Sequence, residues 1–191
     1  MDYAHAYELL VAGKAVFTEL KNLCVWQKTN AGMAPLYRPQ HELVFVFKNG
    51  TAKHQDNVGL GELRYRTNVW HYAGLNSFEG RATDEGNLLR VHPHSKPVKL
   101  LADAILDCTS RGDTICEPFL GSGSTLVAAQ RTGRICRGME LDPLHVDAVI
   151  RRYEAFTGEV AIHAETNLSF HEIARKRASE TVEAHSEASH D

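Results

Sequence analysis

Two acidic residues follow two short apolar stretches of the chain, where the strands that those stretches predict would end. Glu117 comes directly after Thr114–Cys116, and Glu140 comes directly after Ile135–Met139. Between them lie a glycine-rich turn, Gly121–Gly123, and a run of helix-forming residues. This order predicts a nucleotide-binding βαβ unit, in which the acid after the second strand accepts hydrogen bonds from ribose hydroxyls.

The residues around the turn indicate which kind of nucleoside ligand would fit. Phosphate-binding loops need either a Lys after the glycines or a third Gly that opens the helix, whereas this loop continues as Ser124-Thr125-Leu126. A carboxylate at Glu117 would repel a pyrophosphate and attract a cationic amine. S-adenosylmethionine carries an amine, a sulfonium and a ribose diol but no phosphate, so we predict a site for this cofactor. The alternative is a glycine turn that only joins a buried strand to a helix.

A second motif, His92-Pro93-His94-Ser95-Lys96-Pro97, lies just before the helix that leads to Glu117. Together with the segments EPFLGSGST and GRICRGMELDP, it resembles the DNA methyltransferases that methylate adenine N6 or cytosine N4. In that family the first motif packs over the methionine end of the cofactor, and the glycine-rich loop wraps the same ligand. The resemblance implies the following cofactor-binding residues: His92, Lys96, Pro97, Glu117, Pro118, Phe119, Gly121, Ser122, Gly123, Ser124, Glu140 and Asp142.

The order of these motifs resembles the circularly permuted β subgroup of the family, because the glycine-rich loop lies past the midpoint of the chain. Residues 23–28 and 37–47 resemble later sheet strands of that subgroup. The resemblance implies an α/β, Rossmann-like S-adenosylmethionine-dependent methyltransferase fold, circularly permuted and N-terminally incomplete, over residues 1–177. Residues 178–191 are rich in Ser, Glu, Ala and His, which predicts a disordered tail.

The catalytic motif of that family is absent from this sequence. It consists of Asp, Asn or Ser, then Pro-Pro and an aromatic residue, and it holds the base that leaves the duplex. The chain has six prolines, and no two of them are adjacent. We therefore expect a chain that has lost its N-terminal part and holds no catalytic residue.

Three functions are compatible with these residues. The first is a site-specific DNA methyltransferase in truncated form, and the second is a catalytically inactive remnant that binds cofactor or DNA, or regulates such an enzyme. The third is a small-molecule methyltransferase that shares the loop, and the His-Pro-x-x-Lys-Pro motif disfavours it. The expected partners are double-stranded DNA and either a second copy of the chain or a missing N-terminal part.

Composition adds limits to these functions. Of 191 residues, 43% are hydrophobic and 24% are charged, as in an ordinary soluble domain. No apolar run approaches the ~20 residues that a membrane helix needs, and the first residues do not resemble a signal peptide. Four widely spaced cysteines predict buried free thiols in a reducing cytoplasm rather than a zinc site. We expect a cytoplasmic protein with no membrane partner and no metal.

One basic and aromatic stretch has two possible roles. Arg64-Tyr65-Arg66 is followed by Trp70, and interleaved cations and aromatic rings are typical of surfaces that bind nucleic acids. The stretch lies in residues 14–99, where Lys and Arg outnumber Asp and Glu. A loop that packs its Trp against a sheet would produce the same pattern, so both interpretations stay open at this level.

Overall fold

The computed structural model describes residues 2–33, 36–59, 64–74 and 95–188. The chain divides into two compact units, Met1–Glu140 and Leu141–Asp191. The elements of the first unit are, in order, α1 (Ala6–Val16), β1 (Glu19–Gln27), β2 (His41–Lys48), β3 (Val69–His71), α2 (Val98–Cys108), β4 (Thr114–Glu117), α3 (Ser124–Thr132) and β5 (Ile135–Gly138). The second unit contains α4 (Pro143–Thr157) and α5 (Phe170–Ala188).

Strand β1 is the centre of a three-stranded sheet. It pairs antiparallel with β2, from Glu19 opposite Lys48 to Gln27 opposite His41, and parallel with the short β3. Side chains on β1 alternate between the two faces of the sheet. On one face Trp26 is buried, whereas Leu23 on the other is 38% exposed, so only one face belongs to the core.

Strands β4 and β5 form a second sheet and pair in parallel. Thr114 lies opposite Ile135, and Glu117 lies opposite Gly138. A parallel pair needs a crossover connection, which here runs through the glycine-rich turn and α3. The βαβ unit predicted from the sequence is therefore present, with β5 ending one residue earlier than expected.

Helix α2 packs against residues of both sheets. Its Leu100 belongs to a buried cluster with Trp26 of β1 and Trp70 of β3, whereas its Val98 and Ile105 belong to a second cluster with α3. Leu101 contacts both clusters. The three small or β-branched residues that α3 contributes are almost completely buried: Val127, Ala128 and Ala129.

The basic and aromatic stretch packs on the protein itself. Trp70 is buried on β3, and the guanidinium of Arg66 lies 5.3 Å from the centroid of its ring. The guanidinium of Arg64 is bound by Asp103 and Asp107 of α2, and Nε of Arg66 lies 2.8 Å from Oδ2 of Asp107. Of the two interpretations, the structure therefore shows the one in which the Trp packs on the protein itself. Trp70 is buried, and carboxylates of α2 hold both guanidiniums.

The cysteine prediction is correct for Cys24, which is buried, and wrong for Cys108 and Cys116, which are exposed. Cys116 points away from the core because the side chains of β4 alternate and only Ile115 and Glu117 are partly covered. All four thiols are free.

The second unit contains more helix than the sequence predicted. Helix α5 continues through Ala188, so residues 178–188 are helical where their composition predicted disorder. Its first turn is capped reciprocally: the backbone N–H of Ser169 donates to Glu172 at 2.7 Å, and the backbone N–H of Glu172 donates to Oγ of Ser169 at 3.3 Å. Such a capping box starts a helix. Before this helix, Ile162 and Ser169 form an isolated antiparallel bridge.

The two units divide residues that the sequence grouped as one methyltransferase domain, and the extent of that domain, residues 1–177, stays a prediction. In the described part of the chain, no helix combines the length and the apolar character that crossing a membrane requires.

Gly13 is where α1 approaches β2, and it supplies the first test of this fold. A Cβ at Gly13 would lie 2.1 Å from Cζ of Phe47. We expect Gly13→Ala to lower the free energy of unfolding by about 1–3 kcal/mol through overpacking, although Ala is favoured over Gly in a helix by about 1 kcal/mol. Urea denaturation measures the change. In a Phe47→Leu background the same Ala should cost less, and a stabilising Gly13→Ala would contradict the packing.

The carboxylate of Asp103 supplies the second test. Burial raises the pKa of Asp103, but hydrogen bonds from Tyr72 and Arg64 and the charges of Arg64 and Arg66 outweigh it, so the pKa lies below its usual value. A lowered carboxyl pKa adds stability that is complete above the unfolded value of about 3.9 and is lost as the pH falls through the folded value.

We expect Asp103→Asn to lower the free energy of unfolding at pH 7 by about 1–3 kcal/mol. The difference from wild type should shrink as the pH falls below about 4, where wild type loses the same charge. Denaturation curves at several pH values measure this. Asp147→Asn is the matched control, since its pair with Arg151 is exposed and surface pairs contribute little. A difference that does not depend on pH would show that the charge of Asp103 is not the cause.

Candidate functional site

The glycine-rich turn lies between β4 and α3 and depends on two residues with positive φ. Gly121 has φ of 53° and Gly123 has φ of 75°, the left-handed region that favours glycine. Gly123 is the residue before the first turn of α3, and its carbonyl accepts the backbone N–H of Val127 at 3.1 Å. These two conformations let the backbone turn sharply from the strand into the helix.

Glu117, the last residue of β4, turns its carboxylate towards this loop. Its Oε1 accepts the backbone N–H of Phe119 at 3.0 Å, and its Oε2 accepts the hydroxyl of Thr125 at 2.9 Å. Both oxygens are thus held, one from the start of the loop and one from the first turn of α3. Each carboxylate oxygen has two lone pairs, so each keeps capacity for a further donor.

Glu140 reaches the same loop from the other strand. Its Oε2 accepts the backbone N–H of Gly121 at 2.7 Å. Two backbone hydrogen bonds join the same segments: Leu120 donates to the carbonyl of Met139, and Met139 donates to the carbonyl of Glu117, both at 2.9 Å. The structure therefore brings together Glu117, the glycine turn and Glu140, which the sequence separates by more than twenty residues.

The remaining predicted residues of the loop differ in exposure. Ser122 and Ser124 are buried, and their Oγ atoms lie 3.1 Å apart. Phe119 is 87% exposed, so its ring is free to cover a ligand. Pro118 is also exposed. The loop thus has a polar buried side and an apolar exposed side.

Lys96 and Pro97 come from the motif before α2. Nζ of Lys96 lies 3.1 Å from Oε2 of Glu42 on β2, and Lys28 approaches the other oxygen of Glu42 at 2.6 Å. Burial raises the pKa of Glu42, but the hydrogen bonds and charges of Lys28 and Lys96 outweigh it, so the pKa lies below its usual value. Pro97 precedes the first turn of α2. His92 lies outside the described residues.

Asp142 belongs to the second unit. It precedes the first turn of α4, and its Oδ1 accepts the backbone N–H of Leu144 at 2.8 Å. Pro143 occupies the first helical position, where its missing N–H has no cost. Asp142 thus caps α4, and its Oδ2 also lies 3.7 Å from Nδ1 of His145. A role of Asp142 at the cofactor stays a proposal.

The sequence did not single out Thr125 or Glu42. Thr125 was noted only as part of the loop sequence, and nothing in the pattern says that its hydroxyl turns back to Glu117. Glu42 lies on a strand more than fifty residues before Lys96, and no short-range pattern links the two. Both contacts depend on tertiary structure.

Several known proteins are similar to this chain. The type II methyltransferase M.Cfr9I of Citrobacter freundii is 29% identical over 144 residues, which cover 71% of this chain and 44% of the relative. The type II methyltransferase M2.DpnII of Streptococcus pneumoniae is 30% identical over 139 residues, or 73% of this chain and 44% of the relative. The chain thus spans less than half the length of these curated relatives.

Solved structures show the same fold at lower identity. The PvuII DNA methyltransferase, described as cytosine-N4-specific, has a TM-score of 0.64 at 18% identity, over 90% of this chain and 61% of that chain. The M1.HpyAVI–SAM complex has a TM-score of 0.59 at 21% identity, over 80% of this chain and 71% of that chain. The predicted Rossmann-like methyltransferase fold is confirmed, whereas circular permutation and N-terminal incompleteness stay predictions.

The family resemblance expected from the two motifs is confirmed as well. A family model of DNA methylases (N6_N4_Mtase) matches residues 7–151, which include β1 to β5 and most of α4. This chain belongs to the DNA methylase family.

Proposed function

We propose that this chain is the cofactor-binding part of a site-specific DNA methyltransferase, which transfers a methyl group from S-adenosylmethionine to N6 of adenine or N4 of cytosine. The observation that carries the proposal is the pair of carboxylates, Glu117 and Glu140, held at one glycine-rich loop at the ends of two parallel strands. Membership in the DNA methylase family supports it.

The donors and acceptors at the loop suit this cofactor. Glu140 follows the second strand, where ribose hydroxyls donate to an acid in related βαβ units. Glu117 offers negative charge to an ammonium group. The positive φ values of Gly121 and Gly123 allow the backbone to approach a ligand closely. When bound, S-adenosylmethionine supplies the methyl group on its sulfonium, and the chain's own residues bind and orient it.

Ten other residues complete the proposed site: His92, Lys96, Pro97, Pro118, Phe119, Gly121, Ser122, Gly123, Ser124 and Asp142. Phe119 supports this role through its exposure beside Glu117, to which its backbone N–H donates. Lys96 has a structural partner in Glu42, so its part at the site is to anchor the segment before α2.

The partners of this function are double-stranded DNA and a source of the missing catalytic motif. We propose that either a second copy of the chain or an N-terminal part supplies residues that hold the flipped base. Such residues are needed because methyl transfer depends mainly on placing the target amine next to the methyl group. The guanidiniums of Arg64 and Arg66 are engaged by Asp103 and Asp107, so DNA affinity depends on other cations. We also propose a cytoplasmic location, where the protein would meet its DNA substrate.

A second candidate is a catalytically inactive module that binds cofactor or DNA, or regulates a methyltransferase. The observation that favours it is the absence of any Pro-Pro pair from the 191 residues. The two candidates share the cofactor site and differ in whether a base-holding motif completes it.

Replacement of Glu140 tests the cofactor site. Two charge-assisted hydrogen bonds to ribose at about 1.5–3 kcal/mol each mean that Glu140→Ala should weaken S-adenosylmethionine binding by more than about tenfold. Isothermal titration calorimetry measures the affinity. Glu140 also accepts the N–H of Gly121, so Glu140→Gln is a second variant that keeps an acceptor oxygen. Its affinity for the cofactor should fall less than that of Glu140→Ala. The exposed Glu8→Ala is the matched control. Unchanged affinity in Glu140→Ala would remove this residue from the site.

Methyl transfer by the chain alone tests the expected absence of a catalytic centre. Purified chain, mixed-sequence DNA and cofactor labelled in the methyl group should give no transfer above background. Adding a polypeptide segment that carries the Pro-Pro motif of a relative should restore transfer if the two parts pair. Transfer by the chain without any co-purified protein would refute this expectation and show that other residues hold the target base.

A further inference from the structure

Thr125 lies outside the set of residues that the motifs assign to the cofactor, yet its hydroxyl contacts the central acid of the loop. It is half-buried in the first turn of α3, and Oγ1 lies 2.9 Å from Oε2 of Glu117. Thr hydroxyls in helices often donate to a carbonyl one turn earlier. Here the hydroxyl reaches back across the glycine turn to the end of β4.

Glu117 needs this support because its side chain is long. A Glu has three rotatable side-chain bonds, and restricting such a chain costs conformational entropy. The backbone N–H of Phe119 fixes Oε1 only, and that donor belongs to the loop itself. The hydroxyl of Thr125 fixes Oε2 from a helix whose next residues, Val127 and Ala128, are buried in the core. The orientation of the carboxylate is thus set by the rigid part of the fold.

We propose that Thr125 is a positioning residue that orients Glu117 to receive the ammonium group of the ligand, and so selects nucleosides that carry an amino-acid moiety. This inference rests on the proposed function, because it assumes that the loop binds S-adenosylmethionine. Thr125 acts through Glu117 and has no contact with the ligand in this role. Its effect is therefore confined to the part of the ligand that Glu117 meets.

Three ligands separate this role from general support of the loop. S-adenosylmethionine and S-adenosylhomocysteine both carry the ammonium group, whereas 5′-deoxy-5′-methylthioadenosine keeps the nucleoside and lacks the amino acid. Calorimetry of wild type, Thr125→Val and Thr125→Ser with each ligand gives nine affinities. Val has the shape of Thr without the hydroxyl, and Ser keeps the hydroxyl.

We expect Thr125→Val to weaken binding of the two amino-acid ligands by about tenfold, which corresponds to about 1.4 kcal/mol. Binding of methylthioadenosine should stay within about twofold of wild type, or about 0.4 kcal/mol. This ligand has no ammonium group for Glu117 to bind. Thr125→Ser should bind all three ligands close to the wild-type affinities. Melting temperatures of the variants accompany the titrations.

Two results would overturn the inference alone. Equal loss for all three ligands with a lower melting temperature would mean that Thr125 supports the loop as a whole. Wild-type affinity of Thr125→Val for S-adenosylmethionine would mean that Glu117 does not need the hydroxyl. A folded wild-type chain that binds none of the ligands would instead refute the proposed cofactor site, and the inference with it.

Discussion

The parallel pairing of β4 with β5 is the constraint on which the candidate site depends. Glu117 lies opposite Gly138 in this ladder, so the residues that follow the two strands emerge at one edge of the sheet. The pairing continues past the strands through the hydrogen bond from Met139 to the carbonyl of Glu117. A shift of register by one residue would turn every side chain to the other face and would separate the two carboxylates from the loop.

Packing behind the sheet holds this pairing in place. Helices α2 and α3 bury Val98, Ile105 and Val127 together, and Leu101 extends the same contacts to the cluster around Trp26 and Trp70. Because α2 contributes to both clusters, it links the sheet that carries the loop to the sheet around β1. The carboxylates of α2 also form ion pairs with Arg64 and Arg66, whose side chains are mostly covered.

Hydrogen bonds within the protein hold the loop in place. Glu140 binds the N–H of Gly121, and Glu117 binds Phe119 and Thr125. A site whose acceptors are already oriented loses less conformational entropy on binding, which strengthens binding by preorganisation. The carboxylates thus have two roles, since they stabilise the sharp turn and present negative charge at its surface.

The sequence by itself determined the local elements around the candidate site. Thr114–Glu117, the left-handed glycines and α3 follow from short-range signals: a brief apolar run, residues that tolerate positive φ, and helix formers ended by Gly133. The two motifs were specific enough to indicate the family. Local patterns predicted α5 less well. The residues after 177 have the composition of a disordered segment, although a capping box at Ser169 starts a helix before them.

Only the tertiary structure decided which charged groups pair. The sequence around Arg64 and Arg66 would look the same on a DNA-binding surface and in a packed loop. Helix α2, about forty residues later, supplies the carboxylates that bind both guanidiniums and so decides between the two interpretations. Lys96 meets Glu42, and Thr125 meets Glu117, through strands and helices brought together by burial of their apolar faces. Hydrophobic periodicity specifies that burial, but it carries no information about the polar contacts that form at its margin.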